Sequence, residues 1–147
     1  MKNSKIKKII AFSLSIFILL ITPQKNVNAQ DNLPQCVIKT HCVRENWRVQ
    51  VPVQDSFDHI ILSVKKSPRT LILEEKTDYI HAEAKTKWLK YTDDLILLMK
   101  PETSSVQIRS ESRIGLGDNG VNQKRLDLLA KSIKKNYPYI IINRSKD

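Results

Sequence analysis

The sequence predicts an α+β fold of two layers, a mainly antiparallel sheet with helices on one face, in the order β-α-β-β-β-β-α. Two observations lead to this prediction. Short runs of apolar and β-branched residues are separated by short polar turns, and two longer stretches repeat apolar residues at helical spacing. The 147 residues contain no internal repeat, which indicates one folded domain.

The first strand and the first helix are close together in the chain. From Trp47 to Val53, apolar side chains alternate with polar ones, which is the period of a half-buried strand. Pro52 cannot donate to a ladder, so this strand lies at an edge or ends there. Asp55 is a suitable N-cap for a helix that runs to about Lys66 with one apolar stripe.

Four further strands are predicted, separated by short polar turns that favour an antiparallel meander. They cover residues 70–75, 79–85, 94–99 and 106–114. Trp88 and Tyr91 are expected to cover the core between the middle two. Leu126, Leu129 and Ile133 then mark a second helix over residues 121–135. Residues 139–142 form a candidate short extra strand.

The first 29 residues have the pattern of a signal peptide. Four lysines precede an uncharged apolar run at 9–21, and Val27-Asn28-Ala29 suits signal peptidase. The alternative is a permanent anchor. The five lysines of this leader account for half of the formal net charge of +10, so the basic composition does not indicate nucleic-acid binding. We expect export to the periplasm, the exterior or a thylakoid lumen, with no membrane span after cleavage.

Export affects the interpretation of Cys36 and Cys42, which are six positions apart. An oxidising compartment permits a disulfide between them, and the alternative is two reduced thiols, one of them buried. These cysteines fall in an N-terminal segment, residues 30–46. We expect the domain over residues 47–135 and a tail over 136–147. The cysteine and histidine spacings do not match a zinc site, and no metal or cofactor is predicted.

All three glycines of the chain, Gly115, Gly117 and Gly120, lie between the last predicted strand and the second helix. Their G-x-G-x-x-G spacing matches a dinucleotide-binding fingerprint, but that unit needs a further parallel strand followed by an acidic residue. Asp118 within the loop would also repel a pyrophosphate. A tight turn followed by a helix cap is therefore the favoured interpretation, with Asp118 and Asn122 as the capping residues.

Charged residues flank this glycine turn on both sides. The set comprises Asp93, Asp94, Arg109, Arg113 and Arg125. One interpretation is a fixed ion-pair network that ties the last hairpin to the second helix. The other is an anion site, in which the arginines and free helix N–H groups face a phosphate, sulfate or carboxylate. Because adjacent strand residues point to opposite faces, the two aspartates are a poor acid/base pair.

Catalysis has weaker support than binding in this sequence. No residue is assigned a catalytic role, and His81 is the best general acid/base candidate. The apolar alternation around His81 places it on the solvated face of the sheet. Lys131, Lys134 and Lys135 suit a solvated helix C-terminus, and no hydrophobic wedge accompanies them for contact with anionic lipid.

The run from Asp93 to Arg125 carries a family resemblance. Asp93-Asp94, Arg109-Ser110-x-Ser112-Arg113-x-Gly115 and Asp118-x-Gly120-x-Asn122-x-x-Arg125 resemble the signature of the family called domain of unknown function 1499. The resemblance extends from about residue 47 to 133. It implies a small, often exported domain and brings no activity, substrate or cofactor. Family members tend to have Arg beside the helix Asn, where this chain has Gln123.

These observations predict an exported binding or accessory protein of the cell envelope. Its expected partner is a small anionic ligand or an envelope protein, bound through the surface from Arg109 to Arg125, and specific nucleic-acid binding is not expected. The alternative is a hydrolase or isomerase that acts on a small anionic substrate. A third interpretation is a purely structural envelope protein, for which the arginines would be fully paired and shielded.

Overall fold

The computed structural model describes residues 32–115 and 117–146, so the predicted leader at 1–29 lies outside the described residues. The described chain forms one sheet with two α-helices and a short 3-10 turn at Pro101–Thr103. In chain order the elements are β1 (Cys42–Val49), α1 (Val53–Lys65), β2 (Thr70–Glu75), β3 (Tyr79–Lys85), β4 (Thr92–Lys100), β5 (Ser105–Ser112), α2 (Val121–Asn136) and β6 (Ile142–Lys146).

The sheet is antiparallel at every pairing, in the order β2-β3-β4-β5-β1-β6. The predicted meander is present as the four neighbouring strands β2 to β5. Both helices pack on one face, where they bury Phe57, Ile60 and Leu126 against Leu97 and Ile108 of the central strands. The α+β prediction and its element order are confirmed.

β1 lies earlier in the chain than the alternation from Trp47 to Val53 suggested. It begins at Cys42 and ends at Val49, and Val53 is the first residue of α1. The ladder ends before Pro52, as a proline requires, but β1 is not an edge strand because β6 pairs with its free side. The valines after β1 therefore mark the entry to the helix rather than a longer strand.

β6 was expected at 139–142 and instead covers Ile142–Lys146. The aromatic and apolar residues before it made the earlier segment look like a strand, yet Ile140 turns into the core and is 4% exposed. The strand itself is polar because its residues after Ile142 are exposed, and it pairs Asn143 with Arg48 and Arg144 with Trp47. The sheet thus includes residues from the segment predicted as a C-terminal tail.

The prediction that Trp88 and Tyr91 cover the core is wrong. Trp88 is 82% exposed and Tyr91 46% exposed, in the loop between β3 and β4. Ala82 and Leu95 fill that part of the core without them, and both are buried. The loop closes on itself instead, because the Thr86 amide donates to the Tyr91 carbonyl at 2.9 Å.

The segment before β1 lies against the sheet. Cys36 and Cys42 form a disulfide, the first of the two alternatives considered for them. Further upstream, the Leu33 amide donates to Gln107 Oε1 at 2.9 Å, and Leu33 is 2% exposed. This contact is on the face of the sheet opposite the helices. We call the rest of that face the open face, formed by His81, Glu83, Asp94, Ile96, Arg109 and Glu111.

Candidate functional site

Strand alternation divides the predicted site between two faces of the sheet. Asp93 points to the helix face, where it is fully buried and meets Arg125 of α2. Asp94, the next residue, points to the open face, where it meets Arg113. The charged residues around the glycine turn therefore form two separate clusters, with β4 and β5 between them.

The helix-face cluster is centred on the Arg125 guanidinium. Its Nη2 donates to Asp93 Oδ2 at 2.5 Å, and its Nη1 donates to Asn122 Oδ1 at 2.5 Å and to Ser110 Oγ at 2.9 Å. The Arg125 side chain is 15% exposed and that of Asp93 is 0% exposed. These contacts join α2 to β4 and β5. They also compensate the charges of Arg125 and Asp93, which the packing of the helix removes from water.

Asn122 is at the centre of this cluster and is not a helix cap as predicted. It is fully buried, and its Nδ2 donates to the His41 carbonyl, Ser112 Oγ and Asp118 Oδ2 at 3.0, 3.0 and 2.7 Å. Ser110 and Arg125 donate to its Oδ1. The side chain therefore links the start of β1, the end of β5 and the first turn of α2.

Asp118 performs the capping that the sequence suggested for it. Its carboxylate accepts the backbone amides of Gly120 at 2.9 Å and of Asn122 at 2.8 Å. Gly115 and Gly120 have φ of +94° and +76°, in the left-handed region that favours glycine. Because Asp118 occupies amides that a phosphate would use, and no strand pairing is parallel, the described chain has no dinucleotide-binding unit.

The cluster on the open face is built around Asp94. Arg113 donates to both of its carboxylate oxygens, at 2.7 and 2.9 Å, and to Glu83 at 3.1 Å. His81 Nε2 lies 2.7 Å from Asp94 Oδ1. Hydrogen bonds from Arg113 lower the pKa of Asp94 against the opposing effect of burial, so this carboxylate stays ionised at neutral pH. Asp94 is therefore a hydrogen-bond acceptor and is not a proton donor there.

Arg109 is also on the open face, next to Glu111. Its Nη2 lies 2.5 Å from Glu111 Oε2, and its side chain is 12% exposed. The Arg109 Nε is buried and finds no acceptor among the described residues. Arg113 is more accessible, with 41% of its side chain exposed. Of the three arginines predicted at this site, Arg113 is the one that a large partner can reach.

A third polar cluster contains residues that no sequence motif singles out. Glu45 has a buried side chain, and it accepts hydrogen bonds from Trp47, Gln123 and Arg144 at 2.6 to 2.9 Å. Burial alone would raise the pKa of Glu45, but these hydrogen bonds outweigh it and the pKa is lowered. The sequence did contain a signal for this cluster. Glu45 lies between Val43 and Trp47 on one face of a strand, which indicates a carboxylate on an apolar, buried face.

Within residues 32–115 and 117–146, no group of three or more His, Cys, Asp or Glu side chains is placed to hold a metal ion. Over the same ranges, no helix is long and apolar enough to cross a membrane.

Comparison with known proteins agrees with the motif around the glycine turn. Residues 22–133 match the family described as "Protein of unknown function (DUF1499)". The chain belongs to this family. The match includes every strand except β6, and all three polar clusters except Arg144 of β6. No curated protein matches the chain.

Proposed function

We propose that this member of the DUF1499 family is an exported, non-enzymatic accessory domain of the cell envelope, and that it binds a partner protein through the open face. One observation carries the proposal. Within residues 32–115 and 117–146, both helices pack on the same side of the sheet, and no helix covers the charged side chains of β3, β4 and β5 on the other side.

The charges of the open face are fixed in place before any partner arrives. Asp94 is held by Arg113 and His81, and Arg109 by Glu111, so little side-chain freedom remains to be lost on binding. Arginine is enriched at protein interfaces, and Arg113 keeps 41% of its side chain exposed. Fixed charges of both signs favour a large complementary surface over a single small anion.

A small anion has a specific competitor at Arg113 and at Arg109. To reach Arg113 it would displace Asp94 and Glu83, and to reach Arg109 it would displace Glu111. A protein partner can bind above these pairs without breaking them. The helix-face cluster around Arg125 is assigned a structural role, because Asp93 is fully buried there.

Site-specific photocrosslinking in the cell tests the open face. A photoreactive residue at position 83, on the open face, is compared with one at position 131, on the outer surface of α2. We expect a defined crosslinked species from position 83 that Arg113→Ala removes, and no such species from position 131. Equal crosslinking from both positions, or none from position 83, would contradict the proposal.

Thermal melting with and without inorganic phosphate separates partner binding from anion binding. We expect phosphate to leave the melting temperature of the wild type unchanged. Stabilisation of the wild type by phosphate, absent in Arg113→Ala, would favour the small-anion ligand instead.

The alternative is a hydrolase or isomerase acting on a small anionic substrate. One observation favours it: His81 lies 2.7 Å from an ionised Asp94, and Arg113 is beside them to hold an anion. The test is turnover of chromogenic phosphate and carboxylate esters by wild type and His81→Gln. We expect no turnover above background in either, and turnover that His81→Gln abolishes would support the enzyme.

A further inference from the structure

Four loops meet at the end of the sheet where β1, β2 and β4 begin. We call them the cationic end, and they cover residues 36–41, 66–69, 86–91 and, in the fourth loop, 113–115 and 117–120. Hydrogen bonds connect them to one another and to the strand ends. The Asp118 amide donates to Thr40, that of Arg113 to Thr92 and that of Lys85 to Arg69, all within 3.1 Å. With strands about 4.8 Å apart, the four loops span about 20 Å.

The charges of the cationic end are almost all of one sign. Its loops contain six cations, Lys39, Lys66, Arg69, Lys87, Lys90 and Arg113, and one acid, Asp118. The four lysines are exposed and make no ion pair within the described part of the chain. The charge of Asp118 is directed to the amides of α2. Arg113 is paired with Asp94 and Glu83, so the positive charge of this end comes from the four lysines and Arg69.

Large apolar side chains are exposed among these cations. Val37 is 90% exposed, Trp88 82%, Leu89 68% and Ile114 63%. Trp88 stays out of the core because its loop is closed by hydrogen bonds at both ends, with Lys90 in the left-handed region at φ +56°. Four exposed apolar side chains thus lie in three loops at one end of the sheet, which makes that end a candidate interaction surface.

The opposite end of the sheet provides an internal comparison. Its loops, residues 50–52, 76–78, 101–104 and 137–141, contain one cation and two acids. It also has exposed apolar residues, Tyr139 at 56% and Ile141 at 50%. Apolar exposure is thus common to both ends, and positive charge is what distinguishes the cationic end.

An open depression of about 290 Å³ lies beside the cationic end, on β2 and β3. Arg69, Lys85 and Lys90 line it, together with Leu71 and a single acid, Glu83. Cations around a partly apolar floor suit a phosphate group attached to a hydrocarbon chain.

We propose that the cationic end docks on the surface of a bilayer that contains anionic phospholipids. Trp88, Leu89 and Ile114 enter the interfacial region, where tryptophan is favoured, and the lysines contact the headgroups. This inference goes beyond the proposed function. The two surfaces share Glu83 and Arg113, but the docking residues Lys87, Trp88 and Lys90 are outside the open face, so either proposal can fail without the other. Docking through this end leaves the open face, which runs along the strands, accessible to a partner.

The two tryptophans of the chain make docking directly measurable. Trp47 is fully buried and Trp88 is 82% exposed, so Trp88 is the one that responds to vesicles. The protein is purified in the form the cell leaves it. Any retained leader contains no tryptophan and adds no emission of its own. We expect phosphatidylglycerol vesicles to shift the emission to shorter wavelengths and to protect Trp88 from acrylamide, and phosphatidylcholine vesicles to do neither.

Matched variants identify the surface that binds. In the triple variant Lys39→Gln, Lys87→Gln and Lys90→Gln, vesicle affinity should fall about a hundredfold, at about fivefold per lysine. The control triple, Lys131→Gln, Lys134→Gln and Lys135→Gln, removes the same charge from α2 and should bind as the wild type does. All six positions are exposed, so both triples keep the fold.

A second pair of variants tests the apolar contribution. Leu89→Ser keeps the Trp88 reporter and should weaken binding several-fold, and Ile141→Ser at the opposite end should not. The proposal is overturned if Trp88 remains fully quenched by acrylamide in phosphatidylglycerol vesicles. It is also overturned if the two lysine triples lose affinity equally, since binding would then follow net charge alone.

Discussion

Single residues decide how each polar cluster of the sheet is held together. Asn122 makes hydrogen bonds to three parts of the chain, and Asp94 joins His81 and Arg113 on the open face. The first cluster is buried and the second is partly exposed. Because burial raises the cost of an unsatisfied polar group, the two should respond differently to mutation.

We expect Asn122→Leu to destabilise the protein by about 3 kcal/mol, because its buried partners lose their hydrogen bonds without access to water. For a domain of this size that lowers the melting temperature by about 12 °C. The matched control is Lys124→Leu, two positions along the same helix and exposed, which should change stability by less than about 0.5 kcal/mol. A melting temperature unchanged by Asn122→Leu would contradict the assigned role.

The pKa of Asp94 predicts a pH dependence of stability. Since its folded pKa is lowered, Asp94 contributes stability above its ordinary pKa of about 3.9, and this contribution is lost as pH falls through the lower folded value. Asp94→Asn should therefore be less stable than wild type at pH 7, and the difference should shrink below about pH 4. Melting curves of both proteins from pH 7 to pH 2 measure it. A difference that grows on acidification would contradict the sign.

At the scale of elements, the last strand closes the sheet over a buried carboxylate. Arg144 of β6 donates to both oxygens of Glu45 and extends to Asp127 on α2, at 2.7 to 2.8 Å. It also lies over the Trp47 ring, 5.3 Å from the centroid. β6 therefore contributes a charge partner to β1 as well as backbone pairing.

We expect Arg144→Met to destabilise the protein by about 3 kcal/mol, because it removes the charged partner of both oxygens of the buried Glu45 carboxylate. Adding Glu45→Gln should recover part of the loss, since the uncompensated charge is then removed. Urea unfolding of the wild type, both single variants and the double variant measures the coupling. Additive losses would show that the two residues act independently.

The Cys36–Cys42 disulfide fixes the segment that precedes β1. Closing so short a loop lowers the conformational entropy of the unfolded chain, which stabilises the folded state by about 2 kcal/mol. Replacing both cysteines with serine should lower the melting temperature by about 8 °C in the absence of reductant. The same variant should be insensitive to dithiothreitol, whereas the wild type should lose stability on its addition. An equal response of the two proteins to reductant would exclude the disulfide.

At the scale of the whole molecule, the proposed roles depend on export. If the leader is cleaved after Ala29, the mass of the protein recovered from the envelope should correspond to a chain that begins at Gln30. Intact-mass spectrometry measures this. A mass that includes residues 1–29 would favour the permanent anchor, and the cationic end would then act beside a bilayer to which the chain is already attached.

The sequence by itself determined the local elements and the family. Apolar periodicity predicted β2 and β3 at their observed bounds and α2 to within one residue. It could do so because the spacing of apolar residues follows the buried face of each segment. The motif from Asp93 to Arg125 indicated the family because it consists of particular residue types at fixed spacings.

Tertiary structure decided which of those residues meet. Strand alternation predicted that Asp93 and Asp94 lie on opposite faces, but only the fold shows that Asp93 meets Arg125 and that Asp94 meets Arg113. Glu45 and Arg144 are 99 positions apart and meet only because β6 returns beside β1. Trp88 was expected in the core and is exposed, since its neighbouring strands fill that space. Pairing between strands that are distant in the chain sets these contacts. A local sequence pattern does not show which distant strand will lie beside it in the sheet.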